Sequence, residues 1–337
     1  AGRFGAEKVY LLAWILVGMS AFSSFAENFA TLLVLRLAYG IGFGLIIPTT
    51  APILIRWMKP REITVMNGLD IAALTLGVAV SVTTVAPISE EIGWKNALSV
   101  FGTVALLGAV AWAFLGKAQC SDGQQVSEKR ITLNDISNVL RNRIILLLAA
   151  ADALVFMHYT ALTGWLPTFY GEFRNMSLSE AGFITGLMPL VGVGAVLVGG
   201  ILPLRVSDKR IFFVVPGLLI GLGGLGSFLL SSYIGILASV IILGIGSWSY
   251  PPTLLSLPMG LKGMTAEKVA VVWGLFVSVS GLGMFVSPIV VGVIRDHWGT
   301  FTPGFLIWGI GAWSLLVVGL VWPAWENGNP KQGAPKR

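Results

Sequence analysis

The chain has 337 residues, 55% of them hydrophobic and only 11% charged, with a mean hydropathy of +0.83 and a formal net charge of +6. A soluble domain of ordinary composition carries about 25% charged residues, so water is excluded as its main solvent. The single cysteine, Cys120, excludes a disulfide framework, and no His/Cys cluster, phosphate loop or Ser-His-Asp order with loops to hold it points to an enzyme or an ATP-driven machine.

A membrane-spanning helix needs roughly 20 mostly apolar residues. Ten such runs are read in chain order: Val9–Phe25, Thr31–Ile55, Val65–Ile88, Ala97–Leu115, Ile144–Thr168, Ala181–Leu204, Ile211–Leu230, Ile234–Leu257, Val269–Ile294 and Pro303–Trp322. Lipid offers backbone amides no partner, so these runs are predicted to be helices. Nothing alternates with the period of two that a β-barrel requires. The 42 glycines suit helices packing closely in lipid.

The loops set the orientation. Alternate loops carry Arg3 and Lys8; Arg56, Lys59 and Arg61; Lys117, Lys129, Arg130, Arg141 and Arg143; Arg205, Lys209 and Arg210; Lys262 and Lys268; and Lys331, Lys336 and Arg337. The intervening loops carry only Lys95, Arg174 and Arg295. By the positive-inside rule the basic set is cytoplasmic, and so are both ends of the chain. Basic residues distributed by topology also argue against a nucleic-acid partner. Gly116–Asn142 reads as a cytoplasmic linker in which Ile131, Ile136, Val139 and Leu140 would line a short amphipathic helix.

The loop Gly2–Lys8 resembles the loop Leu204–Arg210. Setting Arg3 on Arg205 also sets Gly42 on Gly244 and Gly44 on Gly246, and one residue of slippage aligns Pro48 with Pro251. Parallel repeats of this kind are common in transporters. Two spans precede the second loop and none precedes the first, so about 60 further residues, two helices, are expected before Ala1, leaving part of Thr31–Ile55 uncovered.

Six plus six spans, a basic linker and a charged loop after the second span of each half resemble the major facilitator superfamily. Its loop signature, Gly-x-x-x-Asp-Arg-x-Gly-Arg/Lys-Arg/Lys, is matched by Arg3 and Gly5, with Lys8 one place late, and by Gly200, Arg205, Lys209 and Arg210. Gly2 and Leu204 stand where the acid belongs, so neither copy supplies the usual ion-pair latch. Arg36, Gly40 and Gly42 match the fourth-helix signature Arg-x-x-x-Gly-x-Gly, and Gly93-Trp94-Lys95 and Gly292-x-x-x-Asp296-x-x-Gly299 fit late elements. The antiporter signature begins with Gly68 and Gly77 but has Ser81 and Val82 in place of Gly-Pro. Gly164–Tyr170 is weakly similar to the cyanate/nitroimidazole and anion:cation symporter groups.

The resemblance implies an all-α membrane protein with ten of twelve helices in two pseudo-symmetric bundles. Residues 1–116 would be the remainder of the N-terminal bundle, 117–142 the linker, 143–325 the C-terminal bundle and 326–337 a cytoplasmic tail. It implies a monomeric secondary transporter in the cell membrane, without cofactor or metal, moving a small solute by alternating access. An anion is the leading substrate class and a proton the candidate coupling ion. A multidrug exporter and a non-transporting receptor on the same scaffold are the alternatives.

Ionisable groups inside lipid are functional candidates. Arg36 lies about 8 Å into its helix, where it would either snorkel or meet an anionic substrate; the surrounding motif favours the substrate. Asp152 lies about 13 Å in, near the midplane, where it must be protonated, paired or solvated in a cavity, and it is the proton-coupling candidate. Tyr159 shares its face and His158 lies close by, equally readable as a relay or a packing histidine. Tyr39, Trp248 and Tyr250 belong to helices that line the cavity in this superfamily. Asp70 is expected to partner Arg56, Lys59 and Arg61 at the cytoplasmic gate, with Arg3, Gly5, Lys8, Arg205, Lys209 and Arg210. Trp165, Phe169 and Tyr170 are expected to form an interfacial aromatic belt. Pro48, Pro52, Pro251 and Pro252 mark candidate hinges. Asn175-Met176-Ser177 has the form of a glycosylation sequon.

Overall fold

In the computed structural model, residues 6–57, 60–116, 137, 141–206, 208, 210–257 and 266–327 are described. Among the described residues twelve α-helices run in chain order: α1 (Ala6–Gly18), continued by a 3-10 segment (Met19–Phe25), α2 (Phe29–Trp57), α3 (Pro60–Ile92), α4 (Trp94–Leu115), α5 (Arg143–Arg174), α6 (Leu178–Ile201), α7 (Ile211–Leu229), α8 (Tyr233–Ser249), α9 (Pro251–Ser256), α10 (Ala266–Trp298), α11 (Thr302–Ala312) and α12 (Ser314–Asn327). No strand occurs among the described residues. Among the described residues ten helical segments are long and apolar enough to cross a membrane; α8 with α9, and α11 with the start of α12, each make one of them. The ten predicted runs coincide with these ten segments, within a few residues at most ends.

Local chemistry sets the breaks between them. Asn142 caps α5, its Oδ1 accepting from the amides of Ile144 and Ile145. That helix ends at Asn175, whose φ of 55° is left-handed, and Ser177 then caps α6 by accepting from the Glu180 amide. Gly93 (φ 82°) turns the chain between α3 and α4, and Gly299 (φ 69°) between α10 and α11. Asn175 and Ser177, the ends of the sequon, are therefore helix caps in this fold.

The chain divides into two compact units: residues 1–71 with 84–127, and residues 72–83 with 128–337. In the first unit, α2 packs on α1, and α4 packs on α1 and the 3-10 segment. Glycine sets these close approaches. A Cβ on Gly42 would stand 2.6 Å from the Ala13 carbonyl oxygen, and one on Gly102 would strike the backbone of Ser20 and Ala21. Gly40 and Gly44 on α2 face open space, and Val34, Leu37 and Ile41 beside them are exposed.

The second unit is built around α5, which packs against α6, α7, α10, α11 and α12. Its Arg174 end carries an aromatic core: Phe169, Tyr170, Phe228, Phe301 and Phe305 are each 4% exposed or less. This corrects the expected aromatic belt. The Tyr170 hydroxyl donates to the Ser227 carbonyl (2.7 Å) and Trp165 Nε1 to the Pro288 carbonyl (2.8 Å), so both polar tips are spent on neighbouring helices rather than on headgroups. Arg174 donates to the Phe228 and Leu230 carbonyls at the end of α7, and Arg295 pairs with Glu172 at 3.0 Å, tying α10 to α5.

Candidate functional site

Arg36 with Tyr39 and Asp152 with Tyr250, Tyr159 and Trp248 form two clusters, one in each unit. In the first, α2 places Arg36 half-buried with Nη2 donating to Ser23 Oγ of the 3-10 segment at 2.8 Å. Its Nε is buried and without a partner, and no carboxylate pairs with it among the described residues. The guanidinium carbon lies 5.9 Å from the centre of the Tyr39 ring, which runs parallel to Phe43 one turn further on (interplanar angle 3°). Tyr39 is 38% and Phe43 41% exposed. The cluster is a braced cation with an aromatic ledge beside it.

In the second unit, Asp152 is 5% exposed and both its oxygens are engaged. Oδ1 accepts from the Tyr250 hydroxyl at 2.8 Å and Oδ2 from Ser280 Oγ at 2.6 Å. Three segments meet at this carboxyl: α5, the junction of α8 and α9, and α10. Seven residues along the same face of α5, the Tyr159 hydroxyl accepts from Trp248 Nε1 at 3.2 Å, the two rings meeting edge-on at 5.8 Å. Gly192 of α6 leaves room for the Trp248 indole. Two rungs, Asp152 with Tyr250 and Tyr159 with Trp248, thus fasten the end of α8 to α5. Tyr250 sits where the helix breaks before Pro251 and Pro252, so the lower rung holds the break itself.

His158 is turned elsewhere. It is fully buried against Gly224 of α7 and Gly309 of α11, with neither ring nitrogen hydrogen-bonded. The expectation that it lies near the face of Asp152 gives way here, because six residues along a helix at 100° each end some 120° from the start. Tyr159 at seven residues does share that face.

Of the loop residues, Lys8, Arg205 and Arg210 are exposed, and Arg210 pairs locally with Asp208 at 3.6 Å. Asp70 is exposed about three turns into α3. Arg3, Gly5, Lys59, Lys209 and the amphipathic stretch Ile131–Leu140, except Ser137, lie outside the described residues, as do the side chains of Pro48, Pro52, Arg56 and Arg61. Sequence reasoning missed Ser23 and Ser280. Neither stands in a motif; only the fold shows that a hydroxyl meets Arg36 or Asp152.

The model of the Major Facilitator Superfamily matches residues 1–288. The chain belongs to the Major Facilitator Superfamily. An uncharacterized protein of Campylobacter jejuni is 25% identical over 63% of this chain, a match spanning 65% of that protein's length. A probable sulfoacetate transporter of Cupriavidus necator is 25% identical over 94% of this chain and 79% of its own. The nitrite extrusion protein of Bacillus subtilis is 24% identical over 96% and 80%. Among solved structures, a bacterial homolog of the human lysosomal transporter Spinster, inward-facing and unoccupied, superimposes with a TM-score of 0.67 at 16% identity, over 96% of this chain and 82% of that one. The E. coli fucose:proton symporter does so with a TM-score of 0.63 at 15% identity, over 94% and 83%. The facilitator fold of a multi-pass membrane protein is thereby established for this chain.

Proposed function

We propose that the chain is a secondary transporter of small anions working by alternating access, with Arg36 as the substrate cation and Asp152 as the proton site. The observation that carries this reading is the state of Arg36. A guanidinium within an apolar span is costly unless something answers its charge. Here Ser23 fixes its orientation, no acid neutralises it among the described residues, and Nε keeps a free donor. A planar fork held this way suits a carboxylate, sulfonate or other oxyanion. The relatives named for sulfoacetate and nitrite support the same substrate class.

Asp152 complements it: a carboxyl at the meeting of three helical segments whose gain or loss of a proton bears directly on the break at Tyr250. We take residues 1–116 and 143–325 as the two bundles of the fold, and we place both chain ends on the cytoplasmic side of a cell membrane, the protein acting as a monomer. Pro251 and Pro252 supply a point of bending beside Tyr250, whose phenol ties that point to Asp152. Proteoliposomes test the reading: uptake of nitrite, sulfoacetate and a hexuronate is measured with and without a pH gradient. Saturable uptake of at least one anion, abolished when Arg36 is changed to Ala, is expected; uptake of bulky cations instead would point to a drug exporter and sink it.

A further inference from the structure

Hydroxyls inside the helices of this chain mostly turn back on their own helix. Thr83, Ser89, Thr103, Thr163, Thr185 and Ser239 each donate to the carbonyl four residues earlier. Ser280 departs from that habit. It lies within α10, 5% exposed, and donates across to Asp152 Oδ2. A helical serine can also turn its hydroxyl to the carbonyl four residues back, here that of Phe276, whose oxygen has a second lone pair to accept it. Tyr250 has no such second choice, because its phenol is held far from its own backbone.

The surroundings narrow what Asp152 can exchange with. Tyr250 and Ser280 are its partners, and Tyr159 and His158 on α5 are bound to Trp248 or packed against glycines. Helices α7 and α11 contain no ionisable residue, and α6 contains only Glu180 in its first turn. Those of α10 are Glu267 and Lys268 at its start and Arg295, Asp296 and His297 at its end, and α12 has only Glu326, in its last turn. No cation neutralises Asp152 among the described residues, so the two hydroxyls alone answer its charge.

We propose that Ser280 is a positioning residue that reverses its hydrogen bond each time Asp152 changes protonation state, an inference that rests on Asp152 being the proton site. With Asp152 ionised, Ser280 donates to Oδ2. Hydronium breaks one O–H bond to give its proton to Oδ2 and is left as water; the new carboxyl O–H donates to Ser280 Oγ, and the Ser280 hydrogen turns to the Phe276 carbonyl. Tyr250 donates to Oδ1 throughout. Release of the proton reverses each step, and no other bond forms or breaks. Both states then keep every polar atom of the cluster paired, so a proton enters and leaves a buried site without parting α5 from α10. A helix-packing serine of any other kind needs only to fit.

Infrared difference spectra between acid and alkaline pH, recorded on the protein reconstituted in lipid, test this without a substrate. A protonated-carboxyl C=O band that disappears in Asp152→Asn is expected. In Ser280→Ala that band moves to higher frequency, because its O–H has lost the acceptor, and Ser280→Thr returns it to the parent position. Gel filtration and circular dichroism check that each variant is folded. A band present in the parent, lost in Asp152→Asn but unmoved in Ser280→Ala overturns the role of Ser280 while leaving Asp152 as the proton site. No titrating band assigned to Asp152 removes the proton site itself, and the proposal with it.

Discussion

At the scale of single residues, the two charged groups separate binding from coupling. Arg36→Lys keeps the charge but loses the planar fork and the Nη2 bond to Ser23. One charge-assisted hydrogen bond is worth about 1.5–3 kcal/mol, roughly a ten- to hundredfold change in affinity. Both gradient-driven uptake and counterflow should therefore weaken, measured as a raised half-saturation concentration. Asp152→Asn keeps the shape and can still accept from Tyr250, but it has no titratable proton. The expected outcome is lost accumulation under a pH gradient with counterflow retained. Accumulation at the parent level would leave Asp152 as a packing carboxyl whose two hydroxyl donors satisfy it structurally. Arg36, Asp152 and Tyr159 were legible in the sequence because charge inside an apolar run, and a spacing of seven, survive without coordinates. Their partners were not: Ser23 lies 13 residues from Arg36 and Ser280 lies 128 from Asp152, and no local pattern encodes such separations.

At the scale of helices, glycines distinguish packing from open surface. Gly42 belongs to the signature that begins at Arg36, yet its structural task is to let α2 lie on the backbone of α1 between Ala13 and Val17. Gly42→Leu should drive the two helices apart at a cost of about 1–3 kcal/mol, seen as a lowered melting temperature in detergent. Gly40→Ala, two residues away and facing open space, should leave that temperature unchanged or raise it. Equal losses from both would contradict the packing. The same contacts shift the register of the internal repeat. Gly246 rests on the backbone of Ile220 in α7, the helix that precedes α8 as α1 precedes α2, and Gly244 rests on α6. By contact, Gly42 therefore corresponds to Gly246 rather than to Gly244. The loop-based alignment ran two residues off because Gly40, Gly42 and Gly44 form an evenly spaced run of three, along which the pair Gly244 and Gly246 fits equally well in two registers. The aromatic string at the end of α5 misled for a related reason. Trp165, Phe169 and Tyr170 have the composition of an interfacial belt, but α7, α10 and α11 close over them, which composition cannot express.

At the scale of the whole molecule, ten apolar segments leave one binary question, which side each loop occupies. Basic loops alternate with poor ones along the chain, and retention of Lys and Arg on the cytoplasmic side is the energetic reason that this alternation reports orientation. The structure contributes the positions at which to ask: within the second unit Asp208 and Arg141 are exposed between spans at one set of helix ends and Glu172 and Thr300 lie at the other, and in the first unit Glu90 lies at the C-terminal end of α3. Cys120 is the one cysteine of these 337 residues, so Cys120→Ser, together with replacement of any cysteine outside them, gives a silent background. Single cysteines at Arg141 and Asp208 should then react with a membrane-impermeant maleimide only when the cytoplasmic face is opened, and cysteines at Glu90, Glu172 and Thr300 in intact cells. The segments are joined in series and each crosses once, so the five readings are not independent. Reversing one loop between α5 and α11 would require a neighbouring span to fail to cross, whereas Asn142, Asn175, Ser177 and Gly299 end these helices at lengths that fit a full crossing. Concordant labelling in the opposite sense would invert the molecule and place Arg36 nearer the cytoplasmic face. Mixed labelling within one half would break the facilitator topology and, with it, the assignment of Tyr250 to a helix break within the membrane.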